Sequence, residues 1–149
     1  MIQSFSGFIQ PKPDKNGYKF GVNKLTAGNN QFAKSPDVVY NNTDTWLKIK
    51  EIKIFPMGSI RVSYDAGLND TQYGEAQVYI NGIPRGILRT TSGGIPKSGS
   101  FATFTEDFTI GAGDLIQVYG HTNGNIGTRM DIKNLILSSQ ESSLSVVNL

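Results

Sequence analysis

The chain alternates apolar and polar residues at every second position in a series of short segments. Residues 60–64 and 76–80 show this alternation most clearly, and residues 104–110, 116–119 and 130–137 continue it. A period of two places apolar side chains on one face of a β-strand. No stretch of ten or more residues has the apolar spacing of a helix without a glycine or a strand-like alternation inside it. The pattern therefore predicts an all-β fold.

Turn residues separate these segments at roughly ten-residue intervals, the spacing expected of a sandwich or barrel. The strongest turn is Asn81-Gly82, because Asn-Gly readily takes the positive φ angles of a type I′ hairpin turn. The alternation changes phase near Lys50-Glu51 and again near Asn134, which predicts a β-bulge or corner at each point. We predict an antiparallel β-sandwich of the jelly-roll type with an N-terminal extended arm.

Three parts of the chain differ in pattern. Residues 1–37 hold Pro11, Pro13 and Pro36 and little alternation, so we interpret them as an arm that packs on its own sandwich or on a neighbour. Short strands are expected within this arm, around Ile2–Ile9 and Tyr18–Val22. Residues 38–138 form the predicted sandwich, and residues 139–149 form a Ser-containing tail that is either loose or docked on a partner.

Charge is concentrated at the front of the chain. Residues 1–53 contain eight lysines and four acidic residues, whereas the whole chain has a net charge of only +2. Such a basic segment either docks on an acidic surface or keeps exposed strand faces solvated. The candidate attachment residues are Lys12, Lys15, Lys19 and Lys24. The small net charge gives no reason to expect nucleic acid as a partner.

The composition limits the kinds of site and the cellular environment to be expected. The chain has no cysteine, so disulfides and thiolate metal sites are excluded, which suits a reducing cytoplasm. No signal-peptide pattern begins it, and no apolar stretch approaches the roughly 20 residues of a membrane helix. We therefore expect no membrane partner.

Catalytic chemistry has little support in the sequence. His121 is the one histidine, it falls in a predicted loop (121–127), and no nucleophile-elbow motif accompanies it. Glu106 and Asp107 are neighbours on a predicted strand, so they point to opposite faces. Oxygen-rich loops at 65–70 and 14–17 are consistent with calcium, but ordinary turn chemistry is the favoured interpretation. We predict no catalytic residue, no metal and no cofactor, and a binding or structural protein that is not an enzyme.

Aromatic side chains are the remaining candidates for function. Trp46, Tyr73, Tyr79 and Tyr119 are suited either to an interface between subunits or to stacking on sugar rings. Tyr79 and Tyr119 are out of phase with the apolar sets of their strands, so both are expected on outward faces. Burial between subunits of an oligomer is the preferred reading, and an exposed sugar platform is the alternative.

The stretch from Trp46 to Ser138 resembles a β-sandwich domain that recurs in virion proteins of tailed bacteriophages and in prophage-encoded proteins. The resemblance covers about three fifths of the chain and lies in the order of six strand-and-turn phrases. These are Leu47-Lys-Ile-Lys-Glu-Ile-Lys-Ile54, Gly58-Ser-Ile-Arg-Val-Ser-Tyr-Asp65, Ala76-Gln-Val-Tyr-Ile-Asn-Gly82, Ala102-Thr-Phe-Thr-Glu-Asp107, Gly113-Asp-Leu-Ile-Gln-Val-Tyr119 and Ile132-Lys-Asn-Leu-Ile-Leu137. Carbohydrate-binding and tumour-necrosis-factor-like sandwiches show similar single phrases.

This resemblance implies a domain on the surface of a virion assembled in the host cytoplasm. The first hypothesis is a capsid decoration or auxiliary protein that binds the major capsid protein, or another virion protein, as a homotrimer and stabilises the particle. Its arm would attach it to the particle. The alternative is a carbohydrate- or receptor-binding module of a tail fibre or a secreted enzyme, with a surface glycan as partner. An enzyme such as a depolymerase is the third reading, and no residue role is carried over from the resemblance.

Overall fold

The computed structural model describes residues 24–141 and the backbone of residues 12–14 and 17–19. Within these residues the chain forms strands and no helix. In chain order the strands are β1 (Lys12–Asp14), β2 (Gly17–Lys19), β3 (Lys24–Leu25), β4 (Ala27–Ser35), β5 (Val39–Asn41), β6 (Leu47–Lys53), β7 (Met57–Leu68), β8 (Gly74–Ile80), β9 (Ile83–Pro84), β10 (Arg89–Thr90), β11 (Ala102–Ile110), β12 (Leu115–Thr122) and β13 (Met130–Ser139).

Two sheets pack face to face, and β1 and β2 form a separate hairpin. The front sheet has the order β10-β8-β12-β6, with β9 also paired to β8. The back sheet has the order β11-β7-β13-β4, with β3 paired to β7 and β5 paired to β13. Each pairing is antiparallel except the short one between β3 and β7. The predicted all-β sandwich is confirmed.

The chain crosses repeatedly between the sheets from β6 to β13, as a jelly-roll arrangement requires. This crossing explains the alternation in sequence, since each strand turns one face toward the other sheet. Ile60, Val62 and Tyr64 of β7 have no exposed surface and join Val78 and Ile116 in one core cluster.

The predicted turn and both phase changes are present. Asn81 and Gly82 have φ angles of 53° and 77°, and β8 and β9 pair across them. In β6 the pairing with β12 shifts register between Lys48 and Lys50, which buries both Ile49 and Lys50. In β13 the register shifts around Asn134, whose φ is 50°. Each bulge lets a strand continue after its alternation changes phase.

Polar contacts join the two sheets at their edges. At one edge Arg89 of the front sheet lies 3.5 Å from the Glu106 carboxylate of the back sheet. At the opposite edge the Nζ atom of Lys50 donates to the Ser35 hydroxyl over 2.9 Å. Burial lowers the pKa of Lys50. These contacts let charged side chains close the ends of an apolar core.

The sandwich extends beyond the predicted boundaries. β3 and β4 precede residue 38, and β4 pairs along β13, so part of the expected arm belongs to the back sheet. Glycine and asparagine residues in β4 interrupt the alternation of apolar and polar positions, so the sequence pattern did not predict this strand. Ser139 belongs to β13, and the Gln140 N–H donates to the Thr26 carbonyl, so the sandwich also passes residue 138. The expected strand at 2–9 lies outside the described residues. Tyr18 and Lys19 of the strand expected at 18–22 belong to β2, and residues 20–22 lie outside the described ones.

The oxygen-rich stretch at 65–70, expected to be a loop, is largely part of a strand. β7 runs on through Leu68, and both Ala66 and Leu68 are fully buried. Gly67 allows this close packing, because a Cβ there would lie 2.0 Å from the Ser100 carbonyl oxygen. In the part of the chain that the structure describes, no helix is long and apolar enough to cross a membrane.

Candidate functional site

The outer face of the front sheet carries aromatic and polar side chains instead of the small polar residues common on solvated strands. Outward positions of β8 and β12 alternate with buried inward ones, so each strand contributes every second side chain, and of these the Gln117 side chain is itself buried. Strand register places these positions in three facing pairs: Glu75 with His121, Gln77 with Tyr119, and Tyr79 with Gln117. Three neighbouring layers of this surface therefore contain an aromatic ring each.

Four rings on this surface make a continuous series. The Tyr79 and Tyr119 rings are stacked, with centroids 4.0 Å apart and planes at 17°. The Trp46 ring lies 6.2 Å from Tyr79 and 4.5 Å from His121. We call Trp46, Tyr79, Tyr119 and His121 the aromatic face. Its members are half-buried, so each ring is supported by the sheet and retains accessible surface.

Trp46 is delivered to this face by a turn that Asn41 holds against β12. Asn41 is 5% exposed, and its Nδ2 group donates to the carbonyls of Thr45 and Gly120, each over 2.8 Å. Its Oδ1 atom accepts from the N–H and hydroxyl of Thr43. Because Gly120 lies within β12 and Thr45 precedes Trp46, one buried amide fixes the tryptophan relative to the strand that carries Tyr119 and His121.

Glu75 forms the polar centre beside Trp46. Its carboxylate accepts a hydrogen bond from the Tyr73 hydroxyl and lies 2.7 Å from Nε2 of His121. Nδ1 of His121 lies 3.0 Å from the Thr122 carbonyl oxygen, so both ring nitrogens face oxygen atoms. Burial acts to raise the pKa of Glu75, but the hydrogen bonds from Tyr73 and His121 and the charge of His121 hold it below its ordinary value. His121 is thereby fixed in orientation against the Trp46 ring.

A second carboxylate on the face, Glu51, is also compensated. It accepts from Nε2 of Gln117 over 2.6 Å and from the Lys48 ammonium over 2.9 Å. These two hydrogen bonds lower the pKa of Glu51 and outweigh its burial. The Oε1 atom of Gln117 accepts from the Gly82 N–H, which ties the hairpin turn to the same network. Glu51 is therefore paired with a cation, whereas Glu75 is held by its hydrogen bonds to Tyr73 and His121.

Three aromatic residues of the face, by contrast, have polar atoms without a hydrogen-bond partner among residues 24–141. Among residues 24–141 the indole Nε1 of Trp46 and the hydroxyls of Tyr79 and Tyr119 have no hydrogen-bond partner, and none of the three atoms is buried. Burial, together with Tyr119, raises the pKa of Tyr79, so its hydroxyl stays protonated at neutral pH. The face thus offers flat apolar surface with neutral polar atoms at its edges.

The structure brings all four predicted aromatic candidates into one region. Tyr79 and Tyr119 lie on the outward face, as their phase in the sequence indicates, and Trp46 joins them. Tyr73 is 40% exposed and reaches the group through its hydrogen bond to Glu75. Whether these residues contact a ligand or a subunit stays a prediction.

Of the lysine candidates, Lys24 lies away from this face. Lys24 is exposed on β3 of the back sheet. The Cα atoms of Lys12 and Lys19 pair across the β1–β2 hairpin, and Lys15 lies outside the described residues. Their role in attachment remains a prediction.

Several residues of the site were not identified from the sequence, among them Glu75, His121 and Asn41. His121 was expected in a loop, but β12 continues through Thr122, and His121 lies on its outward face. Gly120 interrupted the apolar alternation, although it occupies an inward position where a Cβ would lie 2.9 Å from Ile49 Cδ1. Gly120 and Thr122 both point inward and are two residues apart, so they keep the alternation of the preceding residues. This is the signal that the strand continues. Asn41 has no comparable signal, because its contacts depend on tertiary structure.

The carboxylates of the oxygen-rich stretch at 65–70 accept hydrogen bonds from other residues of the protein. Asp65 accepts from Thr103 and Asn134, and Asp70 accepts from the Thr128 hydroxyl and the Gln72 N–H. In the described ranges no group of three or more histidine, cysteine or acidic side chains is placed to hold a metal ion.

Comparisons with known proteins identify the fold. No protein-family model and no curated protein matches the chain. It is similar to a solved C-terminal domain of EclA, a sugar-binding protein, with a TM-score of 0.54 and 11% identity over 70% of this chain and 79% of that one. At this identity the likeness establishes a β-sandwich and no correspondence of residues.

Two further solved structures give weaker matches. One is the CBM22-1 xylan-binding domain of Xyn10C from Paenibacillus barcinonensis, with a TM-score of 0.47 and 5% identity over 79% of this chain and 99% of that one. The other is an exo-β-1,3-galactanase from Phanerochaete chrysosporium in complex with β-1,3-galactotriose, with a TM-score of 0.40 and 15% identity over 81% of this chain and 30% of that one. Superpositions this loose say nothing about ligands.

Proposed function

We propose that the chain is a carbohydrate-binding module that holds its ligand on the aromatic face. The observation that carries this proposal is the supported series of Trp46, Tyr79 and Tyr119, whose polar atoms have no partner among residues 24–141 and reach solvent. Buried aromatic hydroxyl and indole groups normally find partners within a protein. Accessible and unpaired ones beside flat rings are suited to a ligand.

The chemistry of the face favours a sugar over a charged or purely apolar ligand. A pyranose ring combines an apolar C–H face, which packs on an aromatic ring, with a rim of hydroxyls that need donors and acceptors. Lys48 is paired with Glu51, and Glu75 is hydrogen-bonded to Tyr73 and His121, so each of these charged groups is already engaged within the protein. A sugar-binding protein of the same fold supports the proposal.

The direct test is a glycan array followed by titration calorimetry with the best-bound glycan. Trp46→Ala is expected to weaken binding by at least tenfold, about 1.4 kcal/mol, because it removes the ring that spans Tyr79 and His121. Tyr40→Ala is the matched control, since Tyr40 is an exposed aromatic, 55% accessible, on β5 of the back sheet. Equal losses from both variants, or no change from Trp46→Ala, would contradict the assignment of the site.

Display on a virion is a separate proposal. It rests on the order of the six strand-and-turn segments that resemble a domain of bacteriophage virion proteins. A decoration protein and a host-binding module would both present a face of this kind, because aromatic residues also dominate protein interfaces. Counting copies in purified particles distinguishes the two: hundreds indicate decoration, and a handful indicate a tail. Light scattering of purified protein tests the predicted trimer, in which the aromatic face would be buried between subunits and glycan binding lost.

We further propose that the chain binds its ligand without transforming it. Glu75 and His121 form a hydrogen-bonded pair, but both partners are engaged by Tyr73, Thr122 and each other, and no second carboxylate of the face converges with Glu75. Incubation of the best-bound glycan with the protein, followed by mass spectrometry, is expected to return it unchanged. A shortened product that disappears with Glu75→Gln would indicate a hydrolase.

A further inference from the structure

The aromatic face has two aromatic pairs placed one after the other along β12. The first pair is Tyr79 with Tyr119, and the second is Trp46 with His121. Tyr119 and His121 are two residues apart on one strand, so their Cα atoms are about 7 Å apart along it. Each pair has its own polar neighbours, Gln77 facing Tyr119 and Glu75 facing His121. The combination of an aromatic pair with a polar neighbour therefore occurs twice, whereas a site for a single sugar ring needs it only once.

The row continues past the second pair. After His121 the chain leads to Asn123 and Asn125, whose Nδ2 groups both donate to Oε1 of Gln72 over 3.1 and 2.9 Å. These residues are exposed, as is the Asn81-Gly82 turn at the opposite end of the face. Exposed polar turns therefore lie at both ends of the row.

On the basis of the proposed function, we infer that the ligand is a neutral oligosaccharide chain that runs along β12 and occupies both aromatic pairs. Trp46 and His121 form one subsite, and Tyr79 and Tyr119 form the next. We expect a neutral chain because Lys48, the cation opposite Tyr119, is already paired with Glu51, and the Glu75 carboxylate beside Trp46 would repel an acidic sugar. A monosaccharide would contact one pair only.

The test is calorimetry of the full chain with gluco-, xylo-, manno- and galacto-oligosaccharides of one to six residues, with trigalacturonate as the acidic comparison. In the series that binds, affinity is expected to rise at least tenfold between one residue and four and then to level off. Tyr119→Ala should abolish this gain with length while it leaves the affinity for the shortest bound sugar within about threefold. Tyr40→Ala should change neither quantity.

The outcomes separate this inference from the proposed function. Equal affinity for the monosaccharide and the hexasaccharide would overturn the two-subsite arrangement and leave carbohydrate binding intact. Tighter binding of trigalacturonate than of any neutral trisaccharide would overturn the requirement for a neutral chain. If no saccharide of any length bound, the proposed function itself would fail.

Discussion

Replacement of Glu75 by glutamine tests the polar centre beside Trp46. The variant keeps the shape of the side chain but removes the charge that accepts hydrogen bonds from Tyr73 and His121. A hydrogen bond to a charged group contributes about 1.5–3 kcal/mol, and a glutamine oxygen still accepts one of the two. The Glu75 and His121 side chains are each 16% exposed, so screening reduces the loss. We expect the free energy of unfolding to fall by about 1–2 kcal/mol at pH 7.

The pH dependence of this loss gives the sharper test. The pKa of Glu75 is lower in the folded protein than its ordinary value of 4.5. A group with a depressed folded pKa contributes stability that is complete above the unfolded pKa and is lost as the pH falls through the folded one. Wild type and Glu75→Gln should therefore differ fully at pH 7, and the difference should shrink as the pH falls below 4.5 and through the lowered pKa of Glu75 in the folded protein.

The assay is urea unfolding at several pH values between 7 and 2.5. Trp46 is the single tryptophan of the chain and packs on His121, so its fluorescence reports this region, and circular dichroism follows the sheets. Asp107→Asn is the matched control, because it removes a carboxylate paired with Arg61 on the back sheet at an exposed site, and it should cost less. A difference for Glu75→Gln that stays constant with pH would refute the electrostatic reasoning, as would its absence at pH 7.

Two further substitutions are informative. Tyr64→Phe should raise the free energy of unfolding by about 1 kcal/mol, because the buried Tyr64 hydroxyl has no hydrogen-bond partner among residues 24–141. Thermal denaturation checks this, and a fall of the midpoint would indicate that a water satisfies the hydroxyl. Asn41→Ala should cost about 2–3 kcal/mol, since it leaves the buried Gly120 carbonyl without its amide donor. It should also weaken glycan binding through displacement of Trp46, and calorimetry at a temperature where the variant is folded measures this; unchanged affinity would contradict the positioning role.

The sequence predicts most of the sandwich because its core depends on local alternation. The phase of Val78 and Ile80 against Tyr79 is enough to place Tyr79 outward, and the Asn81-Gly82 dipeptide is enough to place the turn. β4 was missed because its pairing with β13 is a long-range contact and its own residues are mostly polar or small. Whether β4 forms a strand therefore depends on its pairing with β13 and not on its own residues.

The site could be predicted only in part for a similar reason. The aromatic residues are recognisable by type, whereas Asn41 and His121 act through partners that are distant in sequence: Gly120 for the first and Glu75 for the second. Nothing local distinguishes a buried asparagine that positions a tryptophan from one in an ordinary turn. Residue type therefore suggests the candidates, and topology decides which of them meet.

The aromatic face depends on the bulge in β6 as much as on its rings. Register in β6 shifts between Lys48 and Lys50, so Lys48 lies opposite Tyr119 while Glu51 lies opposite Gln117. Without that extra residue one of these charges would turn inward, because side chains alternate along a strand, and the Glu51–Lys48 pair could not form on the outer face. An uncompensated carboxylate would then remain beside the tyrosine pair. The bulge, which the sequence indicates as a change of phase, is thus what pairs Glu51 with Lys48 on the outer face beside the tyrosine pair.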